Sequence, residues 1–152
     1  MAASRGGTVD KQIAQIQKAV AAYQGGDYEK TSTILLPLVE KDLIKGYRSR
    51  DYLLFLLGES EALLAVESEH PTLCGLATTH LRAVETVSDT PLLAQARARA
   101  ADCLRLAGNS TDAEAAYRIV LSNTKSTVYV GTARFRHAEL LSQVADEKRA
   151  QE

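Results

Sequence analysis

Apolar residues recur along the chain at three- and four-residue spacing, and no run of alternating β-branched residues is long enough for a strand. The pattern predicts an all-α protein of about seven helices. The first runs from Thr8 to Gln24, with Ile13, Ile16, Val20 and Tyr23 on one face and Thr8 or Asp10 as its cap. Gly25 and Gly26 stop it, because glycine readily takes the left-handed conformation that closes a helix end. Asp27 caps a second helix that reaches about Lys45 and buries Ile34, Leu35, Leu38, Val39 and Leu43. Pro37 falls inside it, and the lost hydrogen bond and ring clash predict a kink or break near Ile34 to Pro37.

Gly46 ends that segment, and "YRSRDYLLFLLGESEALLAVESE" forms the third helix, whose dense apolar run from Tyr52 to Leu57 predicts burial on more than one side. "HPT" at 70–72 breaks the chain before a fourth helix from about Leu73 to Val87. "SDTP" at 88–91 puts a capping residue ahead of Pro91, which suits the first turn of a fifth helix reaching Ala107. "GNST" precedes the sixth, where Thr111 and Glu114 have capping-box spacing. Ser122 to Ser126 breaks the chain again, and a seventh helix runs from about Thr127 into "ADEKRAQE", whose last residues are expected to fray. The helices therefore group as 8–46, 47–88 and 90–124, with a further helix at 126–149, in one domain over 8–149 behind a disordered tail at 1–7.

Composition narrows the classes. A chain of 152 residues, 45% hydrophobic and 24% charged, has the make-up of one globular domain. Eighteen basic against 19 acidic residues leave a net charge of −1, too little to draw nucleic acid or an anionic membrane by field alone. No apolar run approaches the roughly 18 residues of a membrane helix, and "MAASRGGTVDK" lacks a signal-peptide core. Cys74 and Cys103 are too far apart for a CxxC pair and too few for a disulfide framework, so a reducing, cytoplasmic location is the expectation.

Catalytic chemistry is thin. His70, His80 and His137 lie in three segments with no ligand beside them at metal spacing, so neither a zinc site nor any cofactor is expected. Cys103 sits on an alanine-rich helix that wants a small buried residue. Glu59 and Glu61 are two apart on a helix and point in different directions, which does not make a two-carboxylate site. The Gly25-Gly26 step follows a helix, whereas a phosphate loop needs a strand before it. A set of arginines remains: Arg97, Arg99 and Arg105 on the fifth helix, Arg134 and Arg136 on the seventh. Arg97 and Arg105 are read as sharing a face, with Arg99 pointing elsewhere.

Two segments resemble tetratricopeptide repeats, in which paired helices carry small residues where they cross. "AVAAYQGGDYEKTSTILLPLV" has Ala19, the Gly26 to Tyr28 turn, Leu35 and Leu38, with Thr31 where alanine is usual. "ARAADCLRLAGNSTDAEAAYRIVL" has Ala101, Leu104, Gly108, Ala113 and Tyr117, and Leu54, Leu57 and Gly58 look like the signature of a repeat between them. The resemblance implies a right-handed α-α superhelix of antiparallel helices, its groove lined by the first helix of each pair. Tyr52, Phe55 and Glu59 of the third helix and Gln95, Asp102 and Arg105 of the fifth would then face that groove, with Arg97 and Arg134 beside them. Such a surface suits a peptide or neighbouring subunit bearing acidic groups. The family's carboxylate clamp would need basic and amide residues where Ile16 and Val20 stand, so chaperone tails are not expected ligands. The expected function is a non-catalytic scaffold or adaptor, with an uncapped end open to pairing with a second copy; a secretion or assembly chaperone, or a small helical enzyme using Cys103 or a histidine, are the alternatives.

Overall fold

The computed structural model describes residues 3–123 and 127–151. Among them are seven α-helices and no strand: α1 (Ala3–Gln24), α2 (Tyr28–Glu40), α3 (Arg50–Glu67), α4 (Pro71–Ala83), α5 (Leu93–Leu106), α6 (Ser110–Asn123) and α7 (Thr127–Gln151), with a 3-10 turn at Val84–Thr86. Consecutive helices pack on one another. In addition α1 touches α3, α3 touches α5 and α5 touches α7, whereas among the described residues α2, α4 and α6 do not touch each other. The odd-numbered helices thus form one continuous layer and the even-numbered ones stand apart on the other side.

Helix α1 reaches back to Ala3, so residues 3–7 are helical where the sequence reads as a tail. Its buried face is carried by Ala19 and Ala22, with Ile16 and Val20 half-buried; Ile13 is exposed, a departure from the expected stripe. Small residues win the buried positions because they let α1 and α2 approach closely. Asp27 caps α2 as the sequence predicts, accepting from the Lys30 N–H at 3.0 Å.

Pro37 does not break α2. The helix continues through it and stops at Glu40, short of the expected Lys45. The proline stands one turn from the end, where its carbonyl still accepts from the Lys41 N–H at 3.2 Å. Asp42 then takes a positive φ of 53°. That reversal sends Ile44 into the core and leaves Leu43, expected inside, exposed.

Helix α3 is the centre of the fold, packed by α1, α2, α4 and α5. Every residue from Leu53 to Ala62 is buried in consequence. Of the break expected at 122–126, Ser122 and Asn123 belong to α6 instead and 124–126 lie outside the described residues, while α7 holds its helix to Gln151, where fraying is expected from the sequence.

The corner after α1 recurs after α5 at a constant offset along the chain. Gly26 and Gly108 have φ of 78° and 77°. The same turn hydrogen bonds flank them: Gly26 to Tyr23 and Asp27 to Ala22 in the first, Gly108 to Arg105 and Asn109 to Leu104 in the second. Asn109, at the place of Asp27, caps α6 by accepting from the Asp112 N–H at 3.3 Å, and its own amide donates to the Asp112 carboxylate at 2.7 Å. The cap is therefore Asn109 and Asp112, not Thr111 and Glu114; Glu114 instead pairs with Arg118 at 2.6 Å.

Each even helix, α4 taken with the 3-10 turn that follows it, buries a small residue, then a large one four positions on and another three beyond: Thr31, Leu35 and Leu38; Ala77, Leu81 and Val84; Ala113, Tyr117 and Val120. The middle hairpin is pulled tightest. A Cβ on Gly58 would lie 2.6 Å from Leu81 Cγ and 3.0 Å from its backbone nitrogen, and that backbone cannot yield as a side-chain end can. Gly58→Ala is therefore expected to destabilise by about 1–3 kcal/mol despite alanine's better helix propensity. Gly75→Ala in α4, where nothing lies within 4 Å of the added carbon, is expected to be neutral or stabilising. Paired thermal melts check the contrast.

Candidate functional site

Helices α5 and α7 of the odd-numbered layer leave a cleft of about 210 Å³ between them, lined by Gln95, Ala98, Arg99, Asp102, Tyr129, Thr132 and Arg136. On α5 the polar members stand at i, i+4 and i+7, one stripe of a helix with 3.6 residues per turn. Gln95 and Asp102, both expected to line a groove, are here. Arg99, read as pointing elsewhere, is here too.

Arg99 is the best-fixed group in the cleft. Its Nε and Nη2 donate to Glu59 Oε2 and Oε1 at 2.7 and 2.6 Å, a two-pronged bridge from α5 to α3. Burial opposes the charge on Arg99, but the hydrogen bonds to Glu59 together with the attraction of the Glu59 and Asp102 carboxylates outweigh it, holding the guanidinium above its ordinary pKa. Glu59 is buried beneath it. Burial, and then the Glu59 carboxylate, push the nearby Tyr23 hydroxyl up, with Tyr28, Tyr52 and Arg99 also in range. Tyr23 and Tyr28 meet edge to face, centroids 5.7 Å apart. A polar strip thus crosses the odd layer from Tyr23 on α1, past Tyr52 and Glu59 on α3 and Arg99 on α5, to Arg136 on α7.

Other expected members lie elsewhere. Phe55 is only 4% exposed and belongs to the core, because α3 has neighbours all round. Tyr52 is half-buried against the same core. Arg97 faces the opposite side of α5, two residues and about 200° from Arg99. There it bonds Glu85 at 3.1 Å beside Arg82 and Ala100, in a depression between α4 and α6. Arg105 lies near the Tyr117 hydroxyl, off the cleft. Arg97 lines that depression and Arg105 does not. Arg134 is exposed on α7, and Arg136 takes the place expected of it, bonded to Glu139 at 3.0 Å.

Glu59 and Glu61 do diverge, the first toward α5 and the second toward α4. Glu61 is 2% exposed and lies 2.7 Å from Nδ1 of His80, itself 11% exposed, a buried pair the sequence does not announce. The His137 ring stacks on Tyr117, whose hydroxyl donates to Asp102. Among the described residues no three His, Cys, Asp or Glu side chains come together to hold a metal ion, and no helix is long and apolar enough to cross a membrane. The cleft offers guanidinium, amide and hydroxyl groups suited to holding a polar chain. No protein-family model matches the chain, and comparison with curated proteins finds no match.

Proposed function

We propose that the chain is a tetratricopeptide-like interaction module, a non-catalytic scaffold or adaptor whose odd-numbered helices line the inner face of a curved array and receive an extended segment of a partner protein. The recurrence of the Gly26 corner at Gly108, with matching turn bonds and matching small-large-large burial, carries this reading. The odd layer, continuous where the even helices splay apart, supports it.

The partner segment lies across α5 and α7, its acidic or amide groups meeting Arg136, Arg99 and Gln95. A nucleophilic role for Cys103 is disfavoured, since it is buried and burial pushes its thiol up, away from the reactive thiolate. Exposed apolar residues at the two ends, Val9 and Ile13 on α1 and Phe135 and Leu141 on α7, offer a second copy a place to pair.

Co-purification from the native host with mass spectrometry is expected to return a stoichiometric partner; a monodisperse monomer carrying a bound small molecule would sink the reading. With the partner in hand, Arg136→Glu is expected to weaken binding roughly 10- to 100-fold, the worth of one charged hydrogen bond plus the repulsion introduced. Arg97→Glu, on the opposite side, is the control. Unchanged affinity for Arg136→Glu together with Gln95→Ala moves the site out of the cleft.

A further inference from the structure

Among the described residues α4 and α6 do not touch, and α5 packs on both. The gap between them is a depression of about 130 Å³ on the opposite side of α5 from the Arg99 cleft. Its floor is apolar. Ala100 is buried on α5, and Ala115, Ala116 and Ile119 follow Asp112 along one stripe of α6. The alanines leave open a space that longer side chains would fill.

The walls of the depression are charged. Arg97 Nη2 donates to Glu85 Oε2 at 3.1 Å, while Arg97 Nε is buried and meets no acceptor among the described residues. Arg82 stands three residues before Glu85, at the spacing of a helical ion pair, yet that carboxylate is held by Arg97. The exposed Arg82 guanidinium therefore lines the depression with no ion-pair partner among the described residues. Asp112 accepts from the Asn109 amide at 2.7 Å. Two arginines and two carboxylates cancel in charge, and the unmet donors are all on the arginine side.

We infer that this depression binds a small organic acid, a carboxylate carrying one apolar group. The apolar group lies on Ala100, Ala116 and Ile119, and the carboxylate accepts from Arg82 and from the donors that Arg97 has left. Size limits the occupant, since a closed apolar cavity of roughly 150 Å³ holds one benzene ring. A single ring or branched alkyl group fills the space, which suits a free acid rather than a length of polypeptide. Charge selects the sign, because a neutral molecule of the same shape leaves Arg82 without an acceptor. The inference concerns the side of α5 away from the cleft, goes beyond the interaction-module reading and does not depend on it.

The test titrates benzoate into the isotope-labelled full chain and follows the backbone amide shifts. Saturable shifts are expected at residues 97–100 and 112–119, with a Kd on the order of 1 mM. Affinity of this order is lost on purification, so recovery of a protein partner answers a separate question. Benzamide, which keeps the ring without the charge, and acetate, which keeps the charge without the ring, are each expected to bind at least roughly 10-fold more weakly. Arg82→Gln is expected to weaken benzoate roughly 10-fold with the fold intact, because the side chain is exposed. Ala115→Leu puts a leucine into the hollow from an exposed helical position and is expected to abolish binding without unfolding. Arg136→Gln, in the cleft, is expected to change nothing. No saturation at ten times the expected Kd, benzamide binding as tightly as benzoate, or shifts confined to α7 and Gln95 would each overturn the inference. Unchanged affinity in Arg82→Gln or in Ala115→Leu would overturn it as well.

Discussion

His80→Ala is expected to cost the fold about 3–5 kcal/mol, because it leaves the Glu61 carboxylate inside the protein without the imidazole that lies 2.7 Å from it. Glu61 sits in the stretch of α3 that is buried on every side, where water cannot replace the lost partner. Glu61→Ala is expected to cost a similar amount, through the mirror-image loss and the cavity it opens. The informative variant is Glu61→Leu with His80→Leu, which removes both polar groups together and should recover much of the loss. Urea unfolding with an unchanged slope reads these differences. Single-variant losses under about 1 kcal/mol would mean that the pair is hydrated and contributes little.

Tyr117→Ala is expected to be as damaging, at about 3–5 kcal/mol, since the ring is fully buried and fills the centre of its cluster. Tyr117→Phe keeps the ring and removes only the donor to Asp102, which is half-buried and can recruit water, so about 1 kcal/mol is expected. The site of damage is as telling as its size. Tyr117 packs with Ala101, Ala113, Val120, Ala133 and Leu140 in a cluster separate from the main core. Hydrogen exchange should therefore quicken in α6 and α7 of Tyr117→Ala while α3 and α4 keep their protection.

Tyr117 also sets an alkaline limit. Burial, and then its bond to Asp102, hold the hydroxyl protonated well above the usual tyrosine range. The unfolded chain releases that proton near pH 10 while the folded chain keeps it, so stability is intact below that pH and falls as pH rises beyond it. The decline is expected to be shallower in Tyr117→Phe.

Much of this architecture is legible in the sequence where local chemistry decides it. Gly26 and Gly108 mark their corners because left-handed backbone selects glycine, Asp27 marks a helix start because its carboxylate is within reach of the Lys30 N–H, and the apolar density around Leu54 announces the central helix. Local chemistry with two solutions is harder to read. Asn109 and Thr111 both satisfy a capping rule, and the turn geometry fixed by Gly108 chooses the first. Pro37 is tolerated because α2 ends soon after it, a fact set by the Asp42 reversal rather than by the proline.

The cleft was half visible. Gln95 and Asp102 fall on the right stripe, and stepping four residues from Gln95 leads to Arg99. Choosing Arg97 instead needs no error in helix prediction, only a wrong rotation about the α5 axis. Phe55 shows the complementary limit, since nothing in its own segment says that a fourth neighbour closes over it. The Glu61–His80 pair depends on how α3 and α4 slide against each other, which sequence spacing does not encode.

Among the described residues, no helix touches another more than two places away along the chain. Loop closure is thus never asked to span much sequence, and folding should be fast, with each hairpin able to form soon after it is synthesised rather than waiting for the whole chain. The same arrangement makes the molecule soft under tension. A pull on its two ends meets the helices one neighbour at a time, like a row of hooks opened in turn, and no contact among the described residues ties the first helix to the last.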